Sequence, residues 1–122
     1  MKDSKKKQIG FQYALNGIWQ VVRTERNFRI HIFIFLLVVI FGFCLQLTAV
    51  QWCLVLGVSG LVFVAEMINT TVERLIDYMK PEIHPQAKAI KDIAAGAVLM
   101  AALTAAVIGL LVFIPKFLHL LH

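Results

Sequence analysis

Four polar side chains recur at helical spacing in an otherwise apolar stretch of the sequence. They are Glu66, Asn69, Glu73 and Asp77, in the run of residues 61–77. At about 100° per residue, the last three fall about −60°, −20° and +20° from Glu66, so all four occupy one face of a helix. Carboxylates in such a row, here called the acidic stripe, can accept a proton as a general base or bind a hard cation such as Mg²⁺.

The acidic stripe lies in sequence that is otherwise suited to a bilayer. A carboxylate at the bilayer centre costs about 2.5–3.5 kcal/mol on insertion scales, so such residues usually face a bundle interior and mark function. The stripe needs cationic partners, and the candidates near the same boundary are Arg29, His31, Lys91 or a metal ion. A packing role for Asn and Glu, with Asp77 in the headgroup water, stays open from the residues alone.

The elements that must position this stripe are membrane helices. Of the 122 residues, 60% are hydrophobic and 16% are charged, whereas a soluble domain is about 45–50% apolar and about a quarter charged. Three uncharged stretches, residues 30–47, 49–65 and 93–115, are long enough to cross the hydrocarbon core. We therefore predict an all-α membrane protein with one domain over residues 1–122 and transmembrane helices at about 28–47, 50–77 and 90–116.

The residues before the first span predict a surface helix at about 6–24. Apolar side chains at 11, 14, 15, 18, 19 and 22 form one stripe down a helix, and Trp19 and Tyr13 suit the headgroup boundary. A lysine cluster at residues 2–7 adds attraction to anionic lipid. The first apolar run begins only at Ile30, so we expect no cleaved signal peptide.

The distribution of charge predicts the orientation in the membrane. Twelve Lys and Arg against seven Asp and Glu give a net charge of +5, and nearly all the basic residues precede the first span or flank residues 78–92. The positive-inside rule then places the N-terminus in the cytoplasm and the C-terminus outside. Nothing resembles a base-reading module, so no nucleic acid partner is expected.

Two further patterns concern packing. Ala97, Ala101, Ala105 and Gly109 recur every four residues, which predicts a close helix contact in the third span. Cys44 and Cys53 are expected to be buried small hydrophobes, with a disulfide as the alternative.

The residues leave two classes of function open. Glu25 and Glu73, from different helices, could hold Mg²⁺ for phosphoryl transfer, although the sequence contains no standard nucleotide-binding loop. The other class is a small oligomeric transporter in which the stripe lines an ion or proton path. No acid occurs in the outer half of the second span, so no continuous path is visible and the enzyme is favoured.

Three blocks of the sequence carry a resemblance. Residues 25–31 (E-R-N-F-R-I-H), the E-x-x-N-x-x-x-E-x-x-x-D block from Glu66 to Asp77, and His84 with Lys91-Asp92 resemble the signature of the small prokaryotic diacylglycerol kinase and undecaprenol kinase family. The resemblance implies an integral membrane lipid kinase that uses ATP and Mg²⁺. It also implies a homotrimer of three-span subunits, each with a surface helix, and active sites shared between neighbouring subunits.

The resemblance also implies roles for individual residues. Glu66 corresponds to the general base, Glu25 and Glu73 to the Mg²⁺ ligands, Asn69 to a residue that positions phosphate or metal, and Lys91 to the cation on the nucleotide phosphates. The set implied to bind the nucleotide and its metal is Tyr13, Glu25, Glu73, Asp77, Glu82, His84, Lys91 and Asp92.

Departures from the diacylglycerol kinase pattern bear on the lipid acceptor. Ala95 stands where that pattern has Ser, and Lys6 and Leu15 stand where it has Arg and Trp. The Arg29-x-His31 pair resembles the Gram-positive branch of the family. These features favour undecaprenol as the acceptor in the bacterial cell membrane, with diacylglycerol, which gives phosphatidic acid, as the alternative.

Overall fold

A computed structural model of the chain describes residues 2–122, with side chains from Gly10 onward, so the lysine cluster lies outside the described side chains. Across this part the chain forms four helices and no strand: α1 (Lys2–Thr24), α2 (Arg26–Cys44), α3 (Ala49–Met79) and α4 (Pro85–Leu121). The last three are long and apolar enough to cross a membrane, and the predicted all-α membrane class is confirmed.

The helix boundaries depart from the predicted spans by three or more residues at three ends, one of which is the end of α4 at Leu121 rather than near residue 116. α2 ends at Cys44 rather than near residue 47, because the chain must turn before Thr48 caps α3. α4 begins at Pro85 rather than near residue 90, because His84 caps it and proline suits the first helical position, where its missing N–H has no partner to lose. α3 and α4 therefore extend past the uncharged stretches.

Glu25 is the only residue between α1 and α2. Its backbone is extended, with φ −105° and ψ 112°, so the chain changes direction there. The guanidinium of Arg29 donates to the carbonyl oxygens of Val22 at 3.0 Å and Arg23 at 2.8 Å. These are among the last carbonyls of α1, which have no partner inside that helix, so Arg29 caps α1 instead of pairing with the acidic stripe.

The turn between α2 and α3 is held from both sides. Gln46 has a φ of 57°, in the left-handed region, and its carbonyl oxygen accepts from Lys116 Nζ of α4 at 3.1 Å. Thr48 Oγ1 accepts from the Gln51 backbone at 3.2 Å, and Gln51 Oε1 accepts from the Thr48 backbone at 2.9 Å. This capping box fixes where α3 begins.

Packing is most extensive between α3 and α4, and α2 lies against α3. The small-residue row of α4 contributes at its centre, since Ala101 is buried and Ala105 and Gly109 are half-buried. α2 meets α3 through Phe63, whose ring lies 5.4 Å from Phe28 and 5.5 Å from Phe35 between centroids. Cys44 and Cys53 are free and exposed in the single chain, so the expectation that they are buried was wrong.

Candidate active site

Glu66 is the buried member of the acidic stripe. It is only 5% exposed, and its Oε1 lies 3.1 Å from Nε2 of His31 on α2. An ionised carboxylate can only accept hydrogen bonds, so the imidazole tautomer with hydrogen on Nε2 is the one that donates to an ionised Glu66. The sequence named His31 as one candidate partner for the stripe, and the structure brings these two side chains together.

Asn69 and Glu73 form the next polar pair along α3. Asn69 Nδ2 lies 3.5 Å from Glu73 Oε1, and Asn69 Oδ1 is buried with no hydrogen-bond partner among the described residues. Leaving a buried acceptor unpaired costs about 1–3 kcal/mol, so this oxygen is suited to a bound group. An orphaned oxygen beside a carboxylate is the donor set that a hard cation prefers.

Protein ligands for a metal are few at this site. Within residues 10–122, no group of three or more His, Cys, Asp or Glu side chains is close enough to hold an ion. Mg²⁺ usually binds one or two carboxylates and completes its octahedron with water and substrate phosphate oxygens. The few oxygen ligands around Glu73 therefore fit Mg²⁺. They do not fit a metal that requires all of its ligands from the protein.

Glu25 is fastened to α3 by Arg74. The Arg74 guanidinium lies 3.7 Å from Glu25 Oε1 and donates to Thr24 Oγ1 at 2.6 Å and Gln20 Oε1 at 3.3 Å. The sequence did not predict this cluster. Arg74 lies about 80° from Glu66 around the helix, so it was counted only among the basic residues that indicate the orientation in the membrane. Arg74 directly follows Glu73 in the sequence at the predicted membrane boundary, and this position was the signal that could have identified it.

Lys91 joins α4 to the far end of the stripe. Its Nζ donates to Asp77 Oδ1, and both side chains are partly exposed. Its neighbour Asp92 faces another partner, since Asp92 Oδ2 accepts from Lys88 Nζ at 2.6 Å. Because Lys91 and Asp77 are both partly exposed near the helix ends, Lys91 is accessible to an anionic ligand.

Three residues implied to bind the nucleotide lie on separate exposed elements. Tyr13 is 71% exposed on α1, and Glu82 pairs with Lys80 at 3.7 Å before α4 begins. His84 caps α4, with Nδ1 accepting from the Gln86 backbone at 3.1 Å. Among the described residues, none of these three side chains forms a hydrogen bond or an ion pair with the acidic stripe.

A cavity of about 540 Å³ lies between α2, α3 and α4, and His31, the partner of Glu66, forms part of its wall. His31 lines it together with apolar side chains such as Phe35, Val62 and Ala105, and its other polar lining residue is Ser59. The size falls within the usual range for small-molecule sites, and the lining suits a hydrocarbon chain. His31 thus faces both the apolar cavity and the buried carboxylate.

Three membrane-length helices, one of which carries a row of polar side chains, define an integral membrane protein. The family model described as prokaryotic diacylglycerol kinase matches residues 12–113, and the chain belongs to this family. It is 42% identical over 106 residues to a protein named undecaprenol kinase from Bacillus subtilis (strain 168), covering 87% of this chain and 86% of that protein.

Other similar proteins carry the name diacylglycerol kinase. One from Synechocystis sp. is 37% identical over 114 residues, covering 93% of this chain and 65% of that protein. Another, from Helicobacter pylori (strain J99), is 30% identical over 88 residues, covering 72% of this chain and 69% of that protein. The chain is therefore a lipid kinase in a membrane, and it uses a lipid and a nucleotide as substrates.

Proposed function

We propose that this protein transfers the γ-phosphoryl group of ATP to undecaprenol and forms undecaprenyl phosphate. The observation that carries the proposal is the buried Glu66 carboxylate, held by His31 beside an apolar cavity. A lipid alcohol with its chain in that cavity presents its hydroxyl to a carboxylate. The similarity to a protein named undecaprenol kinase supports a polyprenol as the acceptor.

Glu66 acts as the general base. Its carboxylate accepts the hydroxyl proton while the lipid oxygen forms a bond to the γ-phosphorus. The bond from that phosphorus to the bridging oxygen breaks, and ADP leaves with the electron pair. Little covalent chemistry is left to the protein in such a transfer, so most of its contribution is positioning and charge neutralisation.

Glu73, Asn69 and Glu25 are the residues that would hold Mg²⁺. The orphaned Asn69 Oδ1 beside the Glu73 carboxylate supports two of these, and Glu25, which Arg74 fixes at the bend between α1 and α2, is the ligand that a neighbouring subunit would contribute to the shared site. When bound, Mg²⁺ neutralises charge on the phosphate oxygens. Asn69 then serves to orient the cation or the phosphate.

Lys91 receives the nucleotide phosphates in this proposal. It reaches the stripe through Asp77 and stays partly exposed, so a phosphate oxygen can take the place of water on its ammonium group. Tyr13, Asp77, Glu82, His84 and Asp92 are the further proposed nucleotide contacts. In the single chain these five side chains are exposed, so a soluble ligand can reach them.

The proposed assembly is a homotrimer with active sites shared between neighbouring subunits. The polar end of the bundle is open in the single chain, since Asp77 and Tyr13 are exposed there. Three thin helices do not enclose both a nucleotide and a lipid headgroup. In the proposed topology the N-terminus and the α3–α4 connection face the cytoplasm of the bacterium, α1 lies on the membrane surface and the C-terminus is outside.

The acceptor is tested by a direct assay. Purified protein with labelled ATP and Mg²⁺ is offered undecaprenol and diacylglycerol, separately and in competition, and the labelled lipid is identified. We expect undecaprenyl phosphate to dominate in competition. Dominant labelling of phosphatidic acid supports the second candidate, a diacylglycerol kinase, which the name of the Synechocystis relative favours. Absence of any labelled lipid contradicts both.

A further inference from the structure

We propose that His31 is a positioning residue that holds the Glu66 carboxylate in its reactive orientation. This inference rests on the proposed role of Glu66 as the base. The imidazole Nε2–H donates to Oε1, which leaves Oε2 for the proton of the lipid hydroxyl. His31 therefore acts on the reaction through Glu66 and does not itself accept the proton.

The geometry of the pair supports a fixed contact. His31 Nε2 and Glu66 Oε1 are 3.1 Å apart, and the two side chains are 24% and 7% exposed. The pair joins α2 to α3 across 35 positions of sequence, so it depends on the packing of the bundle and not on local chain geometry. Within residues 10–122, the other carboxylate oxygen of Glu66 accepts no hydrogen bond from the protein.

The other polar groups near the stripe have partners of their own. Arg29 donates to the carbonyls of α1, Asn69 donates to Glu73, and Lys91 donates to Asp77. Among the described residues, His31 is consequently the side chain that forms a hydrogen bond to Glu66. The imidazole N–H supplies a hydrogen-bond partner for a buried carboxylate, which is costly to leave unpaired.

The surroundings of His31 are largely apolar. It lines the apolar cavity with Phe35 and Phe63, whose rings pack edge to face at 5.5 Å between centroids. In such a low-dielectric environment a hydrogen bond is electrostatically stronger than in water. Because a misplacement of about 1 Å can cost about 100-fold in rate, fixing one carboxylate oxygen has a kinetic consequence.

The test compares two substitutions of different chemistry at this position. His31→Leu removes the donor, whereas His31→Gln keeps a neutral N–H donor on a side chain of similar reach. We expect His31→Leu to lower kcat about 10- to 100-fold with KM for lipid and nucleotide changed less than about threefold. His31→Gln should recover most of that loss. The matched control is Phe28→Leu, which alters the packing of α2 on Phe63 of α3 one turn away, outside the cavity lining and without touching a polar contact.

A double-mutant cycle separates positioning from packing. In a Glu66→Gln background, His31→Leu should cause little further loss, because residues that act through one another are not additive. Infrared spectroscopy gives a readout that does not need turnover: the carboxylate band that disappears in Glu66→Gln should shift in His31→Leu and stay near its position in Phe28→Leu.

The outcomes distinguish this inference from the proposed function. If Glu66→Gln is inactive but His31→Leu turns over like the unmodified protein, Glu66 stands as the base and the role of His31 is overturned. Equal damage from His31→Gln and His31→Leu, or an unshifted carboxylate band, also overturns it. If Glu66→Gln keeps normal turnover, the proposed base itself is wrong and the role of His31 falls with it.

Discussion

Arg74 on α3 lies 3.7 Å from the carboxylate of Glu25, the single residue that separates α1 from α2. The same guanidinium donates to Thr24 and Gln20 at the end of α1. One side chain therefore fastens the proposed surface helix to the helix that carries the acidic stripe. The position of Glu25 relative to that stripe depends on this contact, and several experiments follow from it and from the site.

Loss of the Arg74 contact should loosen α1 without unfolding the bundle. We expect Arg74→Gln to lower kinase activity at least about tenfold, because Glu25 loses its anchor on α3. Limited trypsin digestion should show faster cleavage after Arg26. Arg23→Gln removes the same charge from α1 without removing that anchor and serves as the control. Unchanged activity and cleavage in Arg74→Gln would show that the cluster has no positioning role.

Replacement of the buried carboxylate tests the proposed base. Glu66→Gln should lower phosphate transfer by about 10²–10⁴-fold, the usual effect of removing a general base, while nucleotide binding and assembly remain largely intact. The measurement is turnover with labelled ATP beside nucleotide binding by calorimetry. Thr71→Ala, an exposed change on the same helix, should retain activity. Near-normal turnover of Glu66→Gln removes Glu66 from the chemistry.

Substitutions of the proposed Mg²⁺ ligands should change the metal requirement. Loss of an outer-shell partner already costs about 10- to 100-fold in metal affinity, so Glu25→Ala and Glu73→Ala should each raise the half-saturating Mg²⁺ concentration at least about tenfold. Activity is titrated with Mg²⁺ at fixed nucleotide and lipid. Curves that superimpose on that of the unmodified protein for both variants place the cation elsewhere.

The shared-site assembly predicts partial rescue between two inactive chains. Co-folded Glu25→Ala and Glu66→Gln chains should form some sites in which both residues are intact, because the oligomer distributes the defects among its interfaces. Activity is measured across mixing ratios after co-folding. Preassembled oligomers that are merely mixed provide the control and should stay inactive. Hetero-oligomers without recovery at any ratio show that each site is built within one subunit.

The left-handed residue in the α2–α3 turn predicts a stability effect far from the site. A non-glycine residue in this conformation costs about 1–2 kcal/mol, so Gln46→Gly should raise the thermal midpoint, whereas Gln46→Val should lower it. Because the carbonyl of Gln46 still accepts from Lys116, neither change should alter kinase kinetics at moderate temperature. Opposite thermal shifts, or equal ones, contradict the assigned strain.

The sequence was sufficient to predict the membrane helices and the shared face of the stripe. Both follow from periodicity within one segment, in which the apolar runs set the spans and the spacing from Glu66 to Asp77 sets the face. The family follows from the same motif, and the match over residues 12–113 confirms it. Helix ends were less accurate, because caps at Thr48 and His84 decide them.

The sequence did not predict which side chains from different helices pair with each other. Three side chains and a metal ion were candidate partners for the stripe, and only tertiary packing distinguishes His31, which reaches Glu66, from Arg29, which caps α1. The Arg74 cluster was missed for the same reason, since it depends on how α1 returns to α3 after the bend at Glu25. Residue types restrict the possible partners, and the fold selects among them.

The length of α3 has a consequence for how an acceptor is chosen. Its 31 residues extend about 46 Å, whereas the hydrocarbon layer is about 30 Å thick. If the capped end at Thr48 lies at the outer boundary, Glu66 lies about 26 Å along the axis, still in hydrocarbon, and Glu73 about 36 Å along, beyond it. The protein then selects an alcohol by the depth of its hydroxyl group in the bilayer. The catalytic rate consequently depends on bilayer thickness.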